Sequence, residues 1–306
     1  MRSYKKRLGF TLVELMIAMV LGLVLLGGVL GIFLSNQTTN RVNNELASLQ
    51  SSARLAFQLM SQDIKSAGFS GCNNSSRVVS IITGAPAWSQ WQGGLEGFAA
   101  GTNGLSESLR LMYGAGESVS VSTHVPPVIN TNASSTLNAN DIAMICDDIQ
   151  TSIFQVSTVT ATTVSHAMGP ALSCSADLGY QSPLVCADPR PRIFPSDSML
   201  MRFESVLWLV AESTDDPTIS SLYRQAIIAG NVVTEEVLFG VSSIRFAYQD
   251  GDLPFGPANF SAAVQMGNVT GVQVTLVMDA NAYANANLPL EMRTIEFFAS
   301  VRNRLR

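Results

Sequence analysis

Glu14 is the only charged residue in a stretch of 25 residues, 10–34, that is otherwise uncharged and mostly apolar. The basic residues Lys5, Lys6 and Arg7 come just before that stretch. An acidic side chain inside a membrane helix costs about 3 kcal/mol or more, so such residues usually pair with a cation or serve a function. We therefore expect another charged group to compensate the Glu14 carboxylate.

The apolar stretch has the length of a membrane-spanning helix. At about 1.5 Å per residue it extends roughly 37 Å, which is enough to cross the hydrocarbon core of a bilayer. Positive charge directly before it predicts that the N-terminus stays in the cytoplasm and that the rest is exported. A cleaved signal peptide would need a small-x-small site after the stretch, and residues 31–36 offer no convincing one. A plain signal anchor is the other interpretation, and it does not explain Glu14.

The sequence around Gly9, Phe10 and Glu14 resembles the N-terminal processing and assembly signal of type IV pilins and pseudopilins. The resemblance implies that residues 1–9 are a leader peptide, which the prepilin peptidase removes after Gly9. It also implies that the same enzyme methylates the new N-terminal residue, Phe10. Glu14 stands where most pilins have an acidic residue, four positions after the cut.

Cleavage after Gly9 would create a cationic amine on Phe10. The Glu14 carboxylate of an adjacent subunit could neutralise that amine within the membrane or the filament core. Each charge alone is costly in apolar surroundings, so the pairing would attract staggered subunits and set their register.

The chain becomes polar at Ser35 but keeps a stripe of apolar residues. Their spacing alternates between three and four residues, which is typical of one face of an amphipathic helix. Gly68 is placed to end that helix. We therefore predict one helix over residues 10–67, membrane-spanning at 10–34 and amphipathic at 35–67. The stripe comprises Val42, Leu46, Leu49, Ala53, Ala56, Met60, Ile64 and Ala67.

Residues 68–306 have the pattern of half-buried strands separated by stretches rich in Gly, Ser, Asn and Pro. This pattern predicts an exported α+β body in which an antiparallel sheet covers the apolar stripe of the helix, as in the type IV pilin fold. The longest expected loops are Gly84–Gly104, Pro126–Asn140 and Asp188–Ser198. The expected strands are Arg77–Ile82, Ser108–Tyr113, Ile142–Cys146, Ile153–Val159, Val206–Glu212, Leu222–Ile228, Val241–Gln249, Val272–Met278 and Thr294–Arg302.

Several segments of the chain resemble segments of PilW-type minor pilins. This resemblance implies a structural subunit that primes type IV pilus assembly and sits at the tip, so that twitching motility, adhesion and DNA uptake depend on it. Its implied partners are other minor pilins, the major pilin and the prepilin peptidase. Its implied location is the inner membrane with the body in the periplasm, and then the filament. The segments are Asp63–Cys72, Ile153–Val156, Ser221–Arg224, Glu235–Val241 and Val301–Arg304.

Two other functions fit the same sequence. A minor pseudopilin of a type II secretion system would have a similar leader, helix and sheet, and only its partners would distinguish it. A tip adhesin module would instead use the loops between residues 84 and 140, or between 160 and 200, to bind a surface.

The four cysteines, Cys72, Cys146, Cys174 and Cys186, all follow the apolar stretch, where an exported body would form disulfides. Cys174 and Cys186 enclose a short loop, so we favour this pair and the pair Cys72–Cys146. Four cysteines permit three connectivities, and the sequence alone cannot choose among them. A metal site is the competing interpretation, but the cysteines lack C-x-x-C spacing and a nearby histidine.

The sequence offers little chemistry beyond these features. His124 and His166 are the only histidines, and neither lies in a nucleophile motif, so we expect no enzyme and no cofactor. The net charge of −5 becomes −9 without the leader, since 14 basic and 23 acidic side chains remain. This acidic balance argues against direct binding of nucleic acid.

Two weaker candidates concern ions. Asp250 and Asp252, with the pair at residues 147–148, could supply oxygen ligands for calcium, although Asp-Gly sequences are also ordinary turn formers. Arg302, Arg304 and Arg306 recur at every second position, which would place them on one face of a last strand. A solvated face is the simpler interpretation, and a phosphate- or DNA-binding patch is the alternative.

Overall fold

The computed structural model of the protein describes residues 12–72, 76–84, 86–167, 173–181, 185–250, 256–257, 268–283 and 288–304. Gly9, Phe10, Asp252 and Arg306 lie outside these ranges.

A single helix, α1 (Leu12–Ser66), accounts for the N-terminal part of the described chain. Its 55 residues extend about 80 Å at the usual rise of 1.5 Å per residue. The helix ends where expected, because Gly68 adopts a φ of 77°, a conformation that residues with a Cβ avoid. Its second half carries the buried apolar stripe, from Leu49 to Ile64. The periodic pattern therefore predicted both the helix and its buried face.

The body after α1 is built from strands. Their bounds are β1 (Arg77–Ser80), β2 (Leu95–Phe98), β3 (Ser108–Val125), β4 (Val128–Thr131), β5 (Ile142–Cys146), β6 (Gln150–Gln155), β7 (Thr158–Val159), β8 (Thr163–Ser165), β9 (Met199–Glu212), β10 (Ser220–Ile228), β11 (Asn231–Phe239), β12 (Val241–Asp250), β13 (Gly256–Pro257), β14 (Val269–Met278) and β15 (Thr294–Ser300). A short helical turn, α2 (Leu290–Arg293), precedes β15.

The described strands form two sheets. The larger sheet has the order β1-β6-β5-β9-β3-β4-β8-β7, with β2 added to β3, β10 added to β9, and β11 added to β10. One edge of β9 pairs with β3, while its other edge pairs first with β5 and then with β10. The smaller sheet has the order β13-β12-β14-β15. All of these pairs are antiparallel except β1 with β6, which is parallel.

The docked half of α1 packs where the two sheets meet. It contacts β3 and β11 of the larger sheet and β15 of the smaller one. Leu49, Met60 and Ile64 share one buried cluster with side chains from both sheets. The ring of Phe57 stacks on that of Phe297, with 4.2 Å between the ring centroids. A long apolar helix followed by a large, mainly antiparallel β body confirms the predicted α+β class.

Several predicted boundaries were wrong. The expected loops Gly84–Gly104 and Pro126–Asn140 contain strands β2 and β4, and β11 lies where we expected no strand. The expected strand Ile153–Val159 is divided between β6 and β7. β3 is 18 residues long because it continues past its pairing with β9 to pair with β4.

The last residues do not extend the final strand, which corrects the expectation of an arginine face. β15 ends at Ser300, and residues 302–304 form a helical turn. The Asn303 amide donates hydrogen bonds to the carbonyl oxygens of Ser66 and Ala67, at 3.2 and 3.3 Å, so it caps the end of α1. The Arg304 guanidinium turns inward and donates to the backbone carbonyls of Gly93 and Val269. Burial lowers the pKa of Arg304 to about 10.

Asp63 is a buried carboxylate within the apolar stripe of α1. Its oxygens accept hydrogen bonds from the Tyr113 hydroxyl at 2.6 Å and from the Trp208 indole N–H at 2.9 Å. The Arg224 guanidinium adds two more, from Nε at 3.0 Å and from Nη2 at 3.2 Å. Burial alone would lower the pKa of Arg224, but its hydrogen bonds and charge interaction with Asp63 raise the pKa above its ordinary value. One carboxylate thus joins the helix to β3, β9 and β10.

Replacing Asp63 by Asn tests how far this carboxylate stabilises the attachment of α1 to the strands. The neutral amide would leave the Arg224 guanidinium without its counter-charge and would direct a donor group at donors that now bind the carboxylate. We expect the free energy of unfolding to fall by about 3–5 kcal/mol, the usual cost of removing one member of a buried ion pair. Urea unfolding of the full chain in detergent, followed by tryptophan fluorescence, measures this loss.

Gln62→Ala is the matched control, because Gln62 precedes Asp63 on α1 and its side chain is exposed. We expect it to change the free energy of unfolding by less than about 0.5 kcal/mol. Equal losses in the two variants would contradict the assignment, since they would show that the Asp63 contacts do not determine how firmly the helix is held.

Candidate functional site

The first half of α1 exposes a continuous apolar surface. Every residue from 12 to 34 is exposed, and large apolar side chains such as Leu12 and Leu23 are more than 70% accessible. By length and composition, α1 is able to cross a membrane. A surface of this size normally marks contact with lipid or with another protein.

Glu14 lies in the first turn of α1 as the structure describes it. Its side chain is exposed, and so are the apolar side chains of Val13, Leu15 and Ile17 around it. The carboxylate is therefore carried on the apolar surface itself. Gly9 and Phe10, with which the sequence associates Glu14, lie outside the described residues.

A short polar neck separates the apolar half of α1 from the body. Residues 35–41 are exposed, and Val42 is the first residue of the helix that is half-buried. The Thr38 and Thr39 hydroxyls donate to the carbonyls of Leu34 and Ser35, each at 3.0 Å. Seven residues at 1.5 Å each correspond to about 10 Å of helix. The docked half of α1 thus begins about 10 Å beyond the end of the apolar stretch.

The four cysteines form two disulfides, Cys72–Cys146 and Cys174–Cys186. This is the connectivity that the sequence favoured. The first bond joins the segment after α1 to the end of β5, and the second closes a loop of the segment between β8 and β9. The first bond therefore fastens the exit of the helix to the larger sheet.

The calcium candidates lie on different features of the fold. The Asp147 carboxylate accepts backbone hydrogen bonds from Ile149 and Gln150 at 2.9 and 2.8 Å, and it forms an ion pair with Arg192. Asp147 therefore stabilises the turn between β5 and β6. Asp250 ends β12 and pairs with Val269 of β14. Within the described ranges, His, Cys, Asp and Glu side chains nowhere group in threes that could hold a metal ion.

The two histidines come together in the interior, which the sequence did not reveal. The Nε2 atoms of His124, on β3, and His166, just after β8, lie 2.9 Å apart. The two residues, His124 and His166, are 4% and 0% exposed. The Phe194 backbone N–H donates to Nδ1 of His124 at 3.0 Å. Neither ring is accessible to a substrate in this position.

The sequence gives only partial information about two buried polar features, Asp63 and the histidine pair. Asp63 stands out in the sequence because a carboxylate interrupts an apolar stripe between Met60 and Ala67. Its donors are 50 to 161 residues away, so their identity was not readable. His124 and His166 are 42 residues apart and share no local pattern.

Residues 4–30 match the family described as Prokaryotic N-terminal methylation motif. The matched range contains Gly9, Phe10 and Glu14 and most of the exposed apolar half of α1. It supports assignment to the pilin and pseudopilin superfamily, whose precursors are processed by a prepilin peptidase. No curated protein matches the chain.

Removing each disulfide by paired Cys→Ser substitutions should have unequal effects. The bonds close loops with sequence separations of 74 and 12 residues. Loop-closure entropy then predicts losses of about 4.5 kcal/mol for Cys72–Cys146 and about 3 kcal/mol for Cys174–Cys186. Chemical unfolding of the two double variants under one set of conditions measures the difference. A larger loss for the short loop would show that local contacts, rather than loop length, govern the contribution.

Proposed function

We propose that this chain is a minor pilin of the PilW type, a structural subunit that primes assembly of a type IV pilus and sits at its tip. The observation that carries the proposal is the match of residues 4–30 to the methylation motif. Two features of the fold support it. The matched segment continues as one helix into a β body, and that helix exposes its apolar half while burying one stripe of its second half.

The proposed maturation has two steps. The prepilin peptidase cleaves the peptide bond between Gly9 and Phe10, which removes the leader 1–9, and then methylates the new amine. The cation on Phe10 becomes available to the Glu14 carboxylate of an adjacent subunit. Glu14 lies on the exposed apolar part of the helix. Apolar surroundings screen charges weakly, so the attraction between the Glu14 carboxylate and the Phe10 cation is strong there.

The proposed location follows from the same features. The subunit is held in the inner membrane by residues 10–34, with its body, residues 68–306, in the periplasm, until it enters the filament. The two disulfides support export of the body, since such bonds persist in oxidising compartments. Its partners would be other minor pilins and the major pilin. Through them it would support twitching motility, adhesion and DNA uptake.

A minor pseudopilin of a type II secretion system is the alternative, because the motif match supports pilins and pseudopilins alike. Cross-linking of the full chain in its own membrane, followed by identification of the attached proteins, separates the two functions. Pilus subunits among the products would favour the proposal. Secretion-system subunits in their place would favour the alternative.

The processing step predicts a defined N-terminus. Mass spectrometry of the protein from its own membrane should show a chain that begins at Phe10 and carries one methyl group. An intact leader, or cleavage after the apolar stretch, would contradict the assignment of Gly9 as the processing site.

Replacing Glu14 by Ala tests the assembly step. Without the carboxylate, the amine of a neighbouring subunit loses its partner in apolar surroundings. We expect other pilins to co-purify with the variant at least roughly tenfold less, which corresponds to about 1.4 kcal/mol. Quantitative mass spectrometry of the affinity-purified full chain measures the change.

Glu117→Ala is the matched control, because it also removes an exposed carboxylate but one that lies on β3 of the body. It should leave co-purification close to that of the wild type. Thermal unfolding of both variants should show that the body is intact. Unchanged co-purification in Glu14→Ala would count against the proposed pairing.

A further inference from the structure

The two buried histidines lie where three segments of the body meet. His124 belongs to β3, His166 follows β8, and Phe194 lies on the segment 190–198 that leads into β9. The Phe154 ring from β6 contacts His166 edge-on, with 5.5 Å between centroids. Phe194 itself is 1% exposed, and its ring lies 5.9 Å from that of His124. The pair is thus the polar centre of an otherwise apolar cluster.

The hydrogen bonds define the protonation of both rings. Nδ1 of His124 accepts the Phe194 N–H, so it carries no proton, and the proton of this ring is on Nε2. That Nε2–H faces Nε2 of His166 at 2.9 Å, which must therefore be the acceptor. Both rings are neutral in this arrangement. The same assignment excludes a metal ion between the two Nε2 atoms, because one of them holds a proton.

One added proton breaks this arrangement wherever it binds. On Nδ1 of His124 it would oppose the Phe194 N–H, and on Nε2 of His166 it would oppose the Nε2–H of His124. Nδ1 of His166 already needs its proton. It has no hydrogen-bond partner of good geometry among the described residues, and the nearby backbone groups of His166 and Ala176 offset only part of the burial that disfavours a charged ring. A buried imidazolium would also lack a counter-charge, which is costly in apolar surroundings.

The charged groups around the pair do not compensate such a charge. The segment 190–198 carries Arg190, Arg192 and Asp197, and the segment 173–181 carries Asp177. Arg192 lies over the Phe194 ring and pairs with Asp147, while Arg190 pairs with Asp188. None of these side chains hydrogen-bonds to either imidazole in the described part of the chain. β6 and β8, which also pack here, carry no charged residue.

We propose that His124 and His166 form an acid-sensitive latch, which holds the segment 190–198 against β3 while both rings are neutral and releases it when one is protonated. The latch is a property of the folded body and does not rest on the proposed function. Its release would free the backbone of Phe194 and expose its ring.

The direction of the pH dependence follows from burial. Desolvation lowers the pKa of His124 to about 4, and desolvation together with His124 lowers the pKa of His166 to about 4. A released histidine would regain a pKa near 6.5. The closed form is therefore fully favoured above about pH 6.5 and loses that advantage as the pH falls toward 4. For one histidine, linkage predicts that acidification from pH 7 to pH 4.5 favours the open form by about 50-fold.

Hydrogen exchange of the full chain in detergent tests the latch. After correction for the intrinsic pH dependence of exchange, amides of residues 190–198 should exchange about 50-fold faster at pH 4.5 than at pH 7. Amides of residues 56–64 of α1, which lie in a different buried cluster, should not change. Equal acceleration in both segments, or none in either, would overturn the proposal.

Two variants identify the acid-sensitive group. In the double variant His124→Gln/His166→Gln neither side chain gains a proton in this pH range, so the acid response of residues 190–198 should disappear. Arg192→Gln is the matched control, because it removes the ion pair between this segment and Asp147 and leaves both histidines in place. This variant should exchange faster at both pH values and keep the full acid response. The reverse pattern, with the response lost in Arg192→Gln and kept in the double variant, would overturn the latch.

A measurement on the unaltered protein keeps the proposal falsifiable if the variants fail to fold. The chain contains only two histidines, so 15N-histidine labelling yields two ring systems in the nitrogen spectrum. At pH 6 both should be neutral, with His124 protonated on Nε2. Protonation of both rings near pH 6.5, as in an exposed histidine, would overturn the latch.

Discussion

The attachment of one helix to two sheets through a buried carboxylate is the interaction on which the rest of the body depends. The apolar stripe of α1 packs against side chains of both sheets, but the hydrophobic effect is non-directional and does not fix the position of a helix along its axis. Asp63 fixes that position, because its two oxygens accept hydrogen bonds from Tyr113, Trp208 and Arg224 on three different strands. An unpaired carboxylate in this interior would cost several kcal/mol. The carboxylate thereby fixes both the rotation of the helix about its axis and its position along that axis relative to the sheets.

The exit of α1 is also fastened to the body by hydrogen bonds and a disulfide. The Gly68 N–H donates to the Met112 carbonyl of β3 at 2.9 Å, and Asn303 caps the last carbonyls of the helix. The disulfide Cys72–Cys146 connects the next segment to β5. Force applied to the apolar half of α1 would therefore reach the central strands of the larger sheet directly. By contrast, the exposed neck at residues 35–41 has neither the body nor an apolar surface to support it, and its Asn and Thr residues favour helix weakly.

The sequence predicted those parts of the fold that depend on local periodicity. The helix, its end at Gly68 and strand β5 follow from patterns within a few residues. β11 was missed because it is an edge strand with most of its side chains exposed, so its residues do not alternate between apolar and polar. β4 was missed because it directly follows the pair Pro126-Pro127, which is typical of a loop. Arg304 could not be placed either, since its partners are backbone carbonyls more than 30 residues away.

The body contains two buried polar centres, Asp63 and the histidine pair, and the two are stabilised in different ways. Asp63 is matched by the positive charge of Arg224, and it lies with α1 in the cluster that joins the two sheets. Among the described residues no charged side chain hydrogen-bonds to the histidine pair, which lies against a second cluster that includes Phe154 and Phe194 and no residue of α1. A charge-paired centre loses stability when either charge is removed, whereas a neutral centre loses stability when a charge is added. Because the two centres belong to separate clusters, the histidine end of the body can open while the helix stays attached to the sheets.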